Sequence, residues 1–151
     1  MDALVIREAS AKDIQEMVLL LEQLFSVEQD FSFDPEIQAR GLSMMIDGCG
    51  KHRTVQVACV ANRVIGMCTA QTRISTAKGA VCAVVEDLVV DRAFQGKGIG
   101  PKLLGAIQAW AQNKGVVSLS LLADKNNTNG LTFYGKNAWQ PTQLICLVKP
   151  L

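Results

Sequence analysis

Histidine, paired cysteines and long apolar runs are scarce in this sequence, and each scarcity removes a class of function. There is one histidine, His52, between Lys51 and Arg53, and none of the five cysteines (Cys49, Cys59, Cys68, Cys82, Cys146) forms a C-x-x-C pair. Zinc sites need clustered His and Cys, so no metal is expected and His52 reads as a solvated loop residue. Three of the cysteines sit in apolar, strand-like runs, where a reduced thiol behaves as a small buried hydrophobe. The longest apolar runs are far too short to cross a bilayer, and no N-terminal stretch has the layout of a secretory signal. The expectation is a cytoplasmic protein without a membrane partner. Charge of one sign is lacking as well. Fifteen Lys and Arg against fourteen Asp and Glu leave a net charge of +1, which gives no overall pull toward nucleic acid.

What is present is core material: 49% of the 151 residues are hydrophobic, and that length suits one domain over 1–151. Ala3 to Glu8 reads as a strand. Ser10 followed by Asp13 resembles a capping box and opens an amphipathic run carrying Ile14, Val18, Leu21, Leu24 and Phe25. Asp34-Pro35 starts a second helix, with Ile37, Leu42, Met45 and Ile46 as its buried stripe and Gly48 to Gly50 as its end. Strand-like runs follow at 54–61 and 64–72, joined as a tight hairpin at Asn62-Arg63, and then at Ala80 to Val90. A Gly-rich turn leads into a helix with Leu103, Leu104, Ile107, Trp110 and Ala111 on one face, capped by Gly115. Val116 to Leu122 is a strand, Thr128 to Asn137 a short helix, and Leu144 to Lys149 a last strand. The order β-α-α-β-β-β-α-β-α-β describes an α+β fold, a mixed and mostly antiparallel central sheet flanked by helices.

The segment from Leu88 to Gly100 carries chemistry. A strand runs into a turn with alternate glycines, Gly96, Gly98 and Gly100, and the turn runs into a helix. Glycines let backbone N–H groups approach oxygens closely, and a helix N-terminus adds unsatisfied donors and the positive end of a dipole. The dinucleotide fingerprint G-x-G-x-x-G fails, because its third glycine falls on Pro101 or Leu103. A Walker loop fails too, because Gly98 rather than Ser or Thr follows Lys97. For the glycines alone, a plain turn and an anion cradle are both open.

Gln95-x-x-Gly98-x-Gly100 matches the Q/R-x-x-G-x-G/A signature of the GCN5-related N-acetyltransferase (GNAT) superfamily, at the family's place between the fourth strand and the third helix. Asn127, followed by Phe133-Tyr134 and Ala138-Trp139, resembles the family's N-x-x-A-x-x-F-Y-x-x-x-G-F stretch. Gly130 stands for the usual Ala and Ala138-Trp139 for Gly-Phe, and Pro101 removes an amide that relatives can offer. The resemblance covers roughly Val81 to Trp139.

That resemblance implies acetyl-CoA as co-substrate. Leu88, Val89 and Val90 would pair with its pantetheine arm as with an added strand. Gln95, Gly96, Lys97, Gly98, Ile99 and Gly100 would cradle its pyrophosphate, with Asn127 and Tyr134 downstream. Tyr134, the one tyrosine in the chain, resembles the family's general acid, placed to protonate the departing thiolate. Glu86 stands where some relatives carry their general base, and it reads equally as a solvated carboxylate. By strand alternation Glu86, Leu88 and Val90 would share a face and Asp87 the other, unless a bulge breaks the parity. Phe31 and Phe33, interleaved with carboxylates in the loop where the family builds its acceptor site, would suit a cationic amine. The implied function is direct transfer of an acetyl group to a primary amine of a small molecule. A non-catalytic acyl-CoA-binding module and a protein lysine or N-terminal acetyltransferase remain as alternatives, and a homodimer is compatible with all three.

Overall fold

The computed structural model describes residues 2–28, 30–47 and 51–151. Strand β1 (Val5–Glu8) leads through a 3-10 turn at Ala11–Asp13 into helix α1 (Ile14–Phe25), followed by α2 (Pro35–Asp47). Strands β2 (Arg53–Val60), β3 (Arg63–Ser75) and β4 (Ala80–Val90) come next, then α3 (Ile99–Asn113), β5 (Leu119–Leu121) and α4 (Thr128–Lys136). The described chain forms two compact units, one ending at Leu121 and the other spanning Leu122–Leu151.

In the first unit the five strands form one sheet in the order β1-β2-β3-β4-β5. The first four are antiparallel to their neighbours, and β5 alone runs parallel to β4. Ala61 and Asn62 both have positive φ, 51° and 62°, as the tight turn between β2 and β3 requires. The hairpin turn thus lies one residue earlier than the sequence suggests.

Helices cover both faces of the sheet. Met17, Val18, Leu20 and Leu21 of α1 and Leu42 of α2 cluster with Val55, Val57, Val64, Met67 and Val89 on one face. Ile99, Leu103, Leu104, Ile107 and Ala111 of α3 are buried on the other, where a Cβ at Gly66 would lie 3.2 Å from Leu103 Cδ1. Glycine there lets α3 sit close on the sheet.

Three expectations need correction. Ile37 is 52% exposed, so the buried stripe of α2 is Leu42, with Met45 and Ile46 partly buried against the core. The expected end of that helix at Gly48 to Gly50 lies outside the described residues. Strand β5 is confined to Leu119–Leu121, shorter than the apolar run suggested. In the second unit no strand forms at 144–149; Leu144, Ile145, Leu147 and Val148 are all more than 80% exposed. An apolar run becomes a strand only where a neighbour completes its ladder.

The start of α1 is fixed by a buried carboxylate. Asp13 Oδ2 accepts the Ser10 backbone N–H at 2.8 Å, the reach-back half of a capping box. The Arg7 guanidinium of β1 meets both Asp13 oxygens at 2.8 and 2.9 Å. This bidentate contact and the Ser10 N–H overcome the burial that opposes them and hold Asp13 at about 2. A depressed carboxyl adds stability that is present above its ordinary pKa and is lost as pH falls through the folded value. Asp13→Ala should therefore lower the thermal midpoint at pH 7 by about 5 °C, and the difference should close between about pH 4 and 2. Thermal melts across that range check both statements.

Candidate active site

Strand β4 has two strand neighbours over only part of its length. Ladder pairing with β3 runs from Ala80 to Val90, whereas pairing with β5 covers Ala83 to Val85. From Glu86 onward, among the described residues, β4 has a strand on one side alone. Leu88, Val89 and Val90 lie in this stretch, where an extended ligand can add as a strand.

The same stretch is bulged. Met67 faces Val89 and Thr69 faces Glu86, so Asp87 and Leu88 together stand opposite Cys68. Two residues against one make a β-bulge. Paired residues share a face, so Glu86 lies on the same face as Thr69, Met67 and Val89. The alternation expected from sequence, with Glu86 beside Leu88 and Val90, does not hold across the bulge. Glu86 instead belongs to the face that α1 and α2 cover, and its side chain is exposed.

Asp87 absorbs the extra residue with φ +55°, a region that a few L residues, Asp among them, tolerate. Its Oδ2 lies 3.4 Å from Thr69 Oγ1, and the same hydroxyl donates to the Glu86 carbonyl at 3.1 Å. Burial first, and then the Glu86 charge, push the Asp87 carboxyl up to about 6, against the lowering bond from Thr69. Cys68, buried beside the bulge, has its thiol raised well above the ordinary value by burial and by Asp87. It is a protonated core thiol, without the thiolate character of a nucleophile.

Beyond β4, Asp91 accepts the Ala93 N–H at 2.9 Å and starts a short 3-10 turn, Arg92–Phe94. Gln95 Nε2 donates to the Val90 carbonyl at 3.0 Å, tying the turn back to the strand end. Gly96 and Gly98 have φ +76° and +78°, and a Cβ at either would meet nothing within 4 Å. The turn is left-handed where side chains are disfavoured, and the space in front of it is clear. Gly98 caps α3. Ile99 buries its side chain in the core while its N–H and that of Gly100 open the helix, with no carbonyl behind them. Pro101 contributes no donor. Lys97 Nζ sits 5.3 Å over the Phe94 ring, adding a cation to the loop. The open space, free donors and positive charge suit a phosphate-bearing ligand.

In the second unit, Asn127 caps α4, its side chain accepting the Gly130 N–H at 3.0 Å. A Cβ at Gly130 would lie 2.7 Å from Asn127 Nδ2, so the glycine leaves room for this cap. Tyr134 stands edge-on to Phe133 and Trp139, with ring centroids 5.4 and 6.0 Å apart. In the first unit, Phe31 is 57% exposed and stacks on Phe25 at 5.2 Å. Phe33 instead packs partly buried against the α1/α2 core. The two phenylalanines therefore sit in different settings. The sequence allowed for the bulge only as an exception to strand alternation, and the setting of Asp87 was not read from it; the adjacent acids Glu86-Asp87 near a strand end were the one available signal.

The profile described as the Acetyltransferase (GNAT) family matches residues 15–139, and the chain belongs to that family. Its fold is similar to that of a transcriptional regulator from Bacillus halodurans C-125, at 22% identity and TM-score 0.82, covering 97% of this chain and 99% of that one. It is also similar to an aminoglycoside acetyltransferase, meta-AAC0020, from an uncultured soil metagenomic sample in complex with sisomicin. That pair shares 24% identity and TM-score 0.78, with 98% and 96% of the chains covered. The aminoglycoside N-acetyltransferase AAC(6')-Iy in complex with CoA shares 17% identity and TM-score 0.83, covering 99% of this chain and 96% of that one. No curated protein sequence gives a match. These structural likenesses show the fold.

Gly98→Val should abolish CoA binding in calorimetry, because the side chain fills the clear space before the cradle and strains a left-handed position by about 1–2 kcal/mol. The far-UV circular dichroism should stay native. Wild-type affinity in this variant would remove the turn from the binding site.

Proposed function

We propose that this protein is an acetyl-CoA-dependent N-acetyltransferase that acetylates a primary amine of a small molecule by direct attack in a ternary complex. The observation that carries the reading is the run of β4 without a β5 partner, followed at once by the glycine cradle. Membership of the GNAT family supports acyl transfer as the chemistry. In this reading residues 1–151 act as one catalytic domain, as a monomer or a homodimer alike.

The residues divide the work. Leu88, Val89 and Val90 offer backbone groups to the pantetheine arm, and Gln95, Gly96, Lys97, Gly98, Ile99 and Gly100 form the pyrophosphate cradle. By the family resemblance, Asn127 and Tyr134 are assigned to the cofactor. Glu86 meets the acceptor, which arrives as an ammonium since an alkyl amine has a pKa near ~10, and draws off its proton directly or through water. Phe31, with its exposed ring, and Phe33 border the acceptor. The neutral amine attacks the thioester carbonyl, the C–N bond forms and the C–S bond breaks, and Tyr134 gives a proton to the departing thiolate. The protonated thiol of Cys68 and the absence of any cysteine from either motif favour direct attack over an acyl-cysteine route.

Free, buried Cys59, Cys68 and Cys82 suit a reducing cytoplasm, and no helix among the described residues is long and apolar enough to cross a membrane. A net charge of +1 leaves no general attraction to nucleic acid.

Release of free CoA thiol from acetyl-CoA in the presence of a panel of amines tests the reading, and a chain that releases none with any amine is no acetyltransferase. With an active amine, Tyr134→Phe should keep acetyl-CoA affinity near wild type and lower kcat about 10²-fold or more. Unchanged turnover would make Tyr134 a packing residue.

A further inference from the structure

We propose that Arg92 is a positioning residue, which fastens the acceptor segment after α1 to the phosphate turn so that filling one site strengthens binding at the other. The inference rests on the acetyltransferase reading, in which Phe31 and Phe33 border the acceptor and Gln95 to Gly100 hold the pyrophosphate.

It starts from a shortage of cations. From Asp13 to Ala39 the sequence has seven carboxylates and no Lys, Arg or His. Helix α1 lies inside this stretch, and its last turn carries no basic residue, although a cation there would offset the negative end of the helix dipole. The cation comes from another element. The Arg92 guanidinium donates to Ser26 Oγ at 2.8 Å, and the Ser26 hydroxyl donates in turn to the Gln23 carbonyl at 2.6 Å. That carbonyl is among the last four of the helix, which have no partner within it. Beside it, the Arg92 backbone N–H donates to Gln23 Oε1 at 3.1 Å. Arg92, Ser26 and Gln23 are thus joined in a closed ring of hydrogen bonds.

Both sides of the ring lead to a site. Arg92 opens the 3-10 turn Arg92–Phe94, and Gln95 follows directly. Ser26 follows Phe25, whose ring stacks on the exposed Phe31 at 5.2 Å. A turn whose amides close on a phosphate loses freedom, and Arg92 carries that restraint to the residue at which α1 ends.

The fold itself gains little from these bonds. Met17, Val18, Leu20 and Leu21, each at most 4% exposed, already fix the body of α1, and the Arg7–Asp13 pair fixes its start. Arg92 and Ser26 are both exposed, where a polar contact adds little stability. What the ring sets is the course of the chain as it leaves the helix toward Phe31. Such a coupling is reciprocal: acetyl-CoA raises amine affinity by the factor by which the amine raises that of acetyl-CoA.

Arg92→Met keeps an unbranched apolar stem and removes the guanidinium, and Ser26→Ala removes the hydroxyl that receives it. In wild type, saturating CoA should slow hydrogen exchange over residues 22–28 about tenfold. In either variant CoA should bind within about twofold of wild-type affinity, with a melting midpoint within about 2 °C, while exchange over that stretch no longer responds. With the amine that gives fastest thiol release, each variant should raise the KM for that amine about tenfold and leave kcat within about twofold. A merely structural role would lower the melting midpoint and leave the response to CoA in place. CoA that binds wild type without slowing exchange over residues 22–28 would overturn the proposal alone. So would slowing that persists in both variants, or an amine KM unchanged in both. A wild type that binds no CoA would remove the acetyltransferase reading and this inference together.

Discussion

The fold depends on a strand that must stay paired on one edge and open on the other. Strand β4 holds its ladder to β3 from Ala80 to Val90, interrupted only by the bulge, which fixes it in the core, while β5 accompanies it for three residues. An unpaired run of N–H and C=O groups is costly when buried and invites pairing when exposed. Among the described residues, the run from Glu86 onward has no second strand to complete it. The shortness of β5 leaves that edge without a second strand among the described residues, while the turn tied back by Gln95 and α3 placed against Gly66 hold the sheet.

The rest of the first unit supports that arrangement from both faces. Helices α1 and α2 cluster on Met67 and Val89, at the far end of the bulge from Glu86. Helix α3 packs through Ile99, the residue that follows the cap glycine. Ile99 sends its side chain inward and leaves its amide at the helix start. The Arg7–Asp13 pair does similar work at the other side of the sheet, fixing where α1 begins relative to β1.

The glycine turn was legible in the sequence because its physics is local. Gly96 and Gly98 sit at positive φ, where side chains are disfavoured, and the Gln95 motif names the family. Helix faces were legible where a core partner exists, as in α1 and α3. The misses share a cause: they depend on what lies opposite. Ile37 has the periodicity of a buried residue but sits 52% exposed, and the apolar run at 144–149 has no ladder partner. The bulge in β4 is of the same kind. No residue type announces it, since Asp at φ +55° is tolerated rather than required, and only the register of Met67 and Thr69 against β4 reveals it.

The bulge also divides β4 into two segments that can vary separately. In a regular strand, one inserted or deleted residue inverts every side chain beyond it, so the packing of Cys82, Ala83 and Val85 would be locked to the backbone offered at Leu88 to Val90. Here an extra residue is already taken up at Asp87. Upstream and downstream positions each keep their own register with β3. One extra residue at the junction thus lets the two segments of β4 keep independent registers against β3.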